Sequence, residues 1–248
     1  MRSADRTLAA LDVLVDAAPR TVRVTDVAQH LELSLATASR LLAALVERGY
    51  ASRTSDRRFT VGPRSLLLAD KWVAAMRAAA AGPMARVVAA TGESIMLAQQ
   101  LGEVLVPISW QPPRQRADEM AEKLAGLGPS FPLWATATGR AMLGKLPSSH
   151  RAKLLPEQYP RLTERTVASP AELRQLIRDG ERTGLHVESG EVDPDLWCCA
   201  VALERGTMGE LLALAVISFG EPDAAQRPRI LNALRRESRD VGYHLATL

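Results

Sequence analysis

The chain has 248 residues, 47% apolar and 24% charged, enough for one large packed core or two smaller ones, and no run of eighteen apolar residues marks a membrane span. Its two cysteines are adjacent, Cys198 and Cys199, and its four histidines are scattered, which excludes a disulfide framework and a zinc-ligand spacing. The net charge of +3 lies in the first quarter: residues 1–64 hold ten Lys/Arg against seven Asp/Glu, and the remainder holds 21 of each sign.

The start, MRSADRTLAALDVL, carries early charge and Asp12 and has no uninterrupted apolar stretch, so it does not read as a signal peptide and a cytoplasmic location is expected. A first helix is predicted from about Asp5 to Asp16, with Leu8, Leu11, Leu14 and Val15 on one side. A short helix follows from Thr25 to Leu31, then a tight break at Glu32-Leu33, then a second helix from Ser34 to about Arg48. Ser34 is a good N-cap. On a 3.6-residue wheel Leu35, Ala38, Leu41, Leu42, Leu45 and Val46 gather inward, and Ala36, Thr37, Arg40, Ala44 and Glu47 gather outward. After Gly49, strand-like runs Tyr50 to Arg53 and Arg58 to Val61 flank the polar turn Thr54-Ser55-Asp56-Arg57. Here Arg53, Arg57, Arg58 and Arg64 face one acid. A helix pair followed by a basic hairpin is a winged helix-turn-helix, a shape for entering a major groove and gripping phosphates beside it. The candidate DNA contacts are Ser34, Thr37, Ser39 and Arg40 on the helix and Arg53, Arg57 and Arg58 on the hairpin. So modest an excess of positive charge predicts dimerisation, to bring a second half-site.

Pro63 opens an apolar helical run with Leu66, Leu67, Leu68, Trp72, Val73 and Met76, read as packed on protein, and Gly82-Pro83 is its expected stop. A second domain then begins near Met84 with a helix to Thr91. Hairpin strands are expected at Ser94–Gln99 and Val104–Ser109. The stretch from Gln111 to Pro132 is read as the most mobile part, with Met120, Leu124 and Leu127 at helical spacing. Helices are placed at about Thr138 to Leu146 and Ser148 to Leu155. Ser169-Pro170-Ala171-Glu172 combines a cap, Pro in the first turn and a capping-box Glu, and that helix should stop at Gly184. Strands at Leu185–Glu188, Trp197–Leu203 and Glu210–Ser218 and a last helix at about Ala224 to Ala246 complete an antiparallel sheet with packed helices. The fold class is α+β in two domains: residues 1–63 for the winged helix-turn-helix, 64–82 for a linker helix and 83–248 for a sensor.

The segments ATASRLLAALVERGY (36–50) and RRFTVGPRSLLLA (57–69) resemble the IclR family of transcriptional regulators. So do TGES at 91–94, FPLWATATGRAML at 131–143 and ESGEVDPDLWCCAVAL at 188–203, in the family's order. The chain departs from the family at Glu32, where Gly is frequent, at Leu35-Ala36, where Lys-Ser is frequent, and at Trp134, where His is usual. The resemblance implies a GAF-like second domain that holds a small organic or aromatic acid. It also implies operator binding as a homodimer or a dimer of dimers, more often as a repressor. It carries effector contacts onto Ala137 and Thr138 at a helix N-terminus, and onto Glu188, Leu196 and Cys198, with Met120, Leu124 and Phe131 as an apolar wall. Trp134, Trp197 and Phe131 hint at a roomy or aromatic ligand.

Each pocket residue has a plainer role beside this one. The turn at 137–139 serves equally as a helix cap, Cys198 as a core thiol, and Glu188 as a solvated charge at a strand end. No catalytic residues, cofactor or metal are expected. An enzyme would have to pair Cys198 or Cys199 with His186, and no nucleophile elbow or paired carboxylates accompany them. The alternative regulator is a redox-responsive one using Cys198/Cys199.

Overall fold

The computed structural model describes residues 3–203 and 211–247 of the chain, which divides into two compact units, Met1–Ala74 and Ala75–Leu248.

In the first unit, α1 (Ser3–Ala17) packs on α2 (Val24–His30) and α3 (Leu35–Glu47), and the hairpin β1 (Ala51–Arg53) and β2 (Phe59–Val61) closes the side. Ala10 and Leu14 of α1, Val27 of α2, and Ala38, Leu42 and Leu45 of α3 meet Ala51 and Phe59 in one core. The turn between α2 and α3 is held by the Leu33 amide on the Ala28 carbonyl (2.8 Å), and Glu32 takes φ 52 to make it, a left-handed conformation that a glycine would adopt without strain. Ser34 caps α3, its hydroxyl accepting from the Thr37 amide. Each strand starts one residue later than the sequence suggests, and the wheel errs at Leu35, which is 55% exposed, not packed inward. A first-turn residue precedes the part of the helix that α1 and α2 cover, so periodicity alone misplaces it.

The longest helix, α4, runs unbroken from Pro63 to Thr91 and carries Pro83 inside it. The expected stop at Gly82-Pro83 is therefore wrong, and the separate helix expected from Met84 is its continuation. Proline removes one hydrogen bond, and burial of Met76, Ala80, Met84 and Val87 along one stripe offsets that loss. Leu67 is exposed, while the side chains expected to pack at Leu66 and Leu68 lie outside the described residues. Trp72–Thr91 is long and apolar enough to cross a bilayer by length and composition. Its two arginines are nonetheless tied into protein. Arg77 donates to the Ile108 carbonyl (2.6 Å), and Arg86 pairs with Glu237 (2.7 Å) and Asp240 (2.5 Å).

The second unit is built on a six-stranded sheet in the order β5-β4-β3-β8-β7-β6, every neighbour antiparallel. The strands are β3 (Ser94–Leu101), β4 (Val104–Gln111), β5 (Phe131–Pro132), β6 (His186–Ser189), β7 (Leu196–Ala202) and β8 (Leu212–Phe219). The start expected for β8 at Glu210 lies outside the described residues. Between β3 and β4 the register slips at Leu97/Ala98, opposite Ile108, next to Pro107, which has no amide to give the ladder. One face carries α5 (Ala117–Leu127), α6 (Ala137–Gly144) and α8 (Pro170–Thr183), where Met96, Cys198, Ala200, Ala215 and Ile217 join a core with Met142 and Ile177. The alternate residues Leu97, Trp197, Cys199, Leu214 and Val216 point to the other face, where α9 (Gln226–Leu245) packs on β7 and β8. Both faces are covered, which is why β8 reads as an apolar run with no alternation. The Ser148 segment is a four-residue helix, α7 (Ser148–Arg151), and a short 3-10 turn, rather than a helix to Leu155.

The backbone of α6 lies against the turn before it. A Cβ at Gly139 would sit 2.2 Å from the Leu133 carbonyl oxygen and 2.4 Å from its Cα, and backbone atoms have no rotamer by which to withdraw. Gly139→Ala should therefore destabilise the second unit by about 3 kcal/mol or more, read as a lower midpoint in urea unfolding; an unchanged midpoint would contradict this packing.

Candidate functional site

Among the described residues two places gather the candidate functional side chains. The first is the outer surface of α3 with the wing. Ser39 and Arg40 stand exposed on α3, and Arg53 and Arg57 stand exposed on the hairpin, Arg57 in the left-handed region at φ 62. The remaining candidates are committed elsewhere. The Ser34 and Thr37 hydroxyls bond each other (2.9 Å) while Ser34 caps the helix, so both help to build its N-terminus. Arg58 donates to the Thr21 hydroxyl and to the Thr21 carbonyl, both at 2.6 Å, which ties the wing to the segment before α2. Arg53 also covers the Phe59 ring at 5.8 Å, a contact that leaves its edge free to donate. The residue the wheel missed is Leu35, exposed beside Ser39 one turn on.

The second place is a cavity of about 40 Å³ under α5, between the N-terminus of α6 and the face of the sheet. Leu124, Phe131, Thr138, Glu188, Leu196 and Cys198 line it, with Met96, Leu105 and Ile217 from the strands and Thr136 from the α6 cap. Met120 and Ala137 are buried nearby but do not line it. Met96, Leu105 and Ile217 carry no mark in the residue pattern, because an inward strand residue looks the same whether it meets a side chain or a void. Trp134 packs edge-on against Tyr159 at 5.3 Å, and Trp197 lies on the opposite face of the sheet. Neither tryptophan lines the cavity, so their hint of an aromatic ligand is withdrawn.

The α6 end of the cavity is well capped. The Thr136 hydroxyl accepts from the Gly139 amide at 2.8 Å, leaving the Ala137 and Thr138 amides at positions that have no partner within the helix. Thr138 Oγ1 and Cys198 Sγ are 3.9 Å apart. Across β6–β7, Glu188 pairs in register with Cys198.

Glu188 is 5% exposed, not the solvated strand-end charge that its position suggested, and its Oε2 has no hydrogen-bond partner. Burial pushes its carboxyl up to about 8, with Arg140 and a hydrogen bond from the Val192 amide pulling it down and Glu191 and Asp193 adding to the rise. Arg140, the cation that acts on Glu188 among the described residues, is already engaged: it meets Glu191 through two parallel contacts of 2.8 and 3.0 Å and donates to the Val187 carbonyl at 3.1 Å. A neutral carboxylic acid can donate or accept a hydrogen bond inside the cavity, which a carboxylate cannot do both ways.

The thiols are set apart from reactive chemistry. Burial raises the Cys198 thiol well above its ordinary value and pushes Cys199 up to about 12, and the two point to opposite faces. Burial lowers His186 to about 4, with Arg140 and Arg151 acting the same way. The register places Glu188, not His186, opposite Cys198. Among the described residues no group of His, Cys, Asp and Glu side chains is placed to hold a metal ion.

Comparison with known proteins agrees with this geometry. The family model described as "IclR helix-turn-helix domain" matches residues 3–55, and the one described as "Bacterial transcriptional regulator IclR C-terminal" matches residues 73–243. The HTH-type transcriptional regulator Rv1719 of Mycobacterium tuberculosis is 26% identical over 215 residues, covering 86% of this chain and 79% of that protein. Among solved structures, a putative IclR transcriptional regulator from Silicibacter sp. TM1040 superposes with a TM-score of 0.87 at 23% identity, covering 99% of this chain and 96% of that one. An IclR homolog from Microbacterium hydrocarbonoxydans, solved with 4-hydroxybenzoate, superposes with a TM-score of 0.79 at 20% identity over the whole of both chains. The chain belongs to the IclR family of bacterial transcriptional regulators, with an N-terminal helix-turn-helix for DNA and a C-terminal regulatory domain.

Proposed function

We propose that this regulator is a cytoplasmic repressor without enzymatic activity, that it binds a palindromic operator as a homodimer or a dimer of dimers, and that a small organic acid in the cavity of the second unit changes its affinity for that operator. The observation that carries the reading is the partly open cavity beneath α5, where Thr138 at the start of α6, Cys198 and the buried Glu188 line one side. The helix amides suit a carboxylate. A neutral Glu188 suits a hydroxyl. The Microbacterium homologue was solved with a ligand that carries both groups, 4-hydroxybenzoate, which makes a hydroxylated aromatic acid the first class to try. A volume of about 40 Å³ holds about one water, not such an acid, so the effector must displace Leu124 and Leu127 of α5. That helix is held down by Lys123, which pairs with Asp193 (2.8 Å) and Asp195 (2.9 Å) of the β6–β7 connection. Differential affinity for the two placements of α5 is the most such a ligand can contribute to a change of state. The two thiols, buried and neutral, favour this reading over a redox signal through Cys198/Cys199.

On the DNA side, α3 enters the major groove and the wing follows the backbone. Arg40→Ala should weaken binding to a selected operator about tenfold or more and weaken binding to random duplex far less. Arg57→Ala should weaken both alike and reduce the slope of log affinity against log salt by about one. Fluorescence anisotropy over a salt series measures both, and equal losses on both DNAs for both variants would overturn the division.

Operator complexes titrated with a panel of hydroxylated and plain aromatic acids should dissociate with at least one of them. Leu196→Phe, which fills the cavity, should keep operator affinity and lose that response. A response that survives the substitution places the effector elsewhere.

Glu188 gives a test in pH. Its folded value of about 8 lies above the ordinary 4.5, so the stability it contributes is complete below about pH 4.5 and is lost as the pH rises through 8, where ionisation leaves a charge buried away from water. Glu188→Gln has no such charge, so its stability relative to the native chain should grow between pH 5 and pH 9 by on the order of 3 kcal/mol. Urea unfolding at the two pH values reads the difference; a constant gap would mean that the carboxyl ionises freely.

A further inference from the structure

The first turn of α3 offers unusual chemistry for a helix that meets DNA. Its hydroxyls are engaged with the helix start, since the Ser34 hydroxyl accepts from the Thr37 amide and shares a hydrogen bond with the Thr37 hydroxyl. What projects from that end is Leu35, 55% exposed, and Ala36, with Ser39 and Arg40 one turn further on. Helical side chains lean toward the N-terminus, so these four share the surface over the leading end of the helix. The other large apolar residues of α3 that face inward, Leu42 and Leu45, are buried; Leu35 alone among the leucines of this helix stands clear of the core. An exposed leucine here has a definite partner only if the partner is both anionic and locally apolar. The surroundings favour an anion: α3 has no acidic residue in its first turn, its N-terminus carries positive partial charge, and Arg40 flanks the patch, with Glu32 of the preceding turn as the opposing charge. The major groove supplies the apolar spot, because thymine alone among the four bases presents a methyl group there.

We propose that Leu35 is a specificity-determining residue whose isobutyl group packs on the 5-methyl group of a thymine in each operator half-site. The assignment rests on the reading of α3 as the recognition helix. It adds an apolar base contact to the polar one expected of Arg40. It also gives Ala36 a role as spacer, small enough to let the leading turn approach the base edges.

The test removes the methyl and nothing else. Operators are selected from random duplexes with the full-length protein, and each thymine of one half-site is then replaced in turn by deoxyuridine, which keeps every hydrogen-bonding group. One replacement should lower the affinity of the native protein about fourfold, the value of one buried methyl-sized group. Leu35→Ala should bind the thymine and deoxyuridine operators within twofold of each other. Leu35→Met, which keeps apolar reach, should restore the preference. An unchanged urea-unfolding midpoint serves as the control that the Leu35→Ala variant folds. If no replacement matters to the native protein, or if Leu35→Ala suffers the same loss, the thymine contact is overturned while α3 keeps its place in the groove. If the native protein selects no sequence at all, the recognition-helix reading falls with it.

Discussion

The Arg140 clamp is the interaction on which the sensor's chemistry depends. A guanidinium only 1% exposed must be matched in the interior, and it is matched by Glu191 through two parallel contacts and by the Val187 carbonyl. The same clamp fixes α6 to β6 and to the connection after it, and α6 in turn floors the cavity. By pairing with Glu191, Arg140 leaves Glu188 with no ion-pair partner among the described residues, so the polar character of the cavity wall is a consequence of how that positive charge is spent. Removal of either member of such a pair would strand a buried ion, which makes the polarity of the cavity and the position of α6 a single property.

The reading head follows a similar economy. Its hydroxyls and one of its arginines are used for construction: Ser34 and Thr37 build the start of α3, and Arg58 pins the wing to Thr21. The side chains left over for the outside are Leu35, Ser39, Arg40, Arg53 and Arg57, fewer than the sequence pattern offers. A small domain with little core cannot spare many polar groups, because each one that orders the scaffold is withdrawn from the surface.

Much of this was legible in the residues alone. The helix pair, the basic hairpin and the capped helix from Ser169 to Gly184 are local patterns, and local patterns survive folding. The errors share one cause, which is that burial is decided by what arrives from elsewhere in the chain. Pro83 reads as a stop, but the stripe from Met76 to Val87 carries the helix past it. Leu35 matches the inward period, but nothing reaches the first turn to cover it. Glu188 reads as a solvated end, but α6 and the β6–β7 connection enclose it. Of the cavity, the helix cap, Glu188 and Cys198 could be named from their positions in recognisable segments, whereas Met96, Leu105 and Ile217 carry no mark that separates a pocket wall from a core.

The margins of the six-stranded sheet have a consequence for how the second unit meets other molecules. At one margin stands β5, two residues long and ending in Pro132; at the other stands β6, four residues long. Margins this short, one of them with a proline, present few free backbone groups to an incoming strand, so growth of the sheet from chain to chain is suppressed. Self-association of this unit is thereby left to side-chain surfaces, whose shape and charge can be tuned residue by residue, and fibre-like stacking of neighbouring copies is disfavoured even where they crowd together.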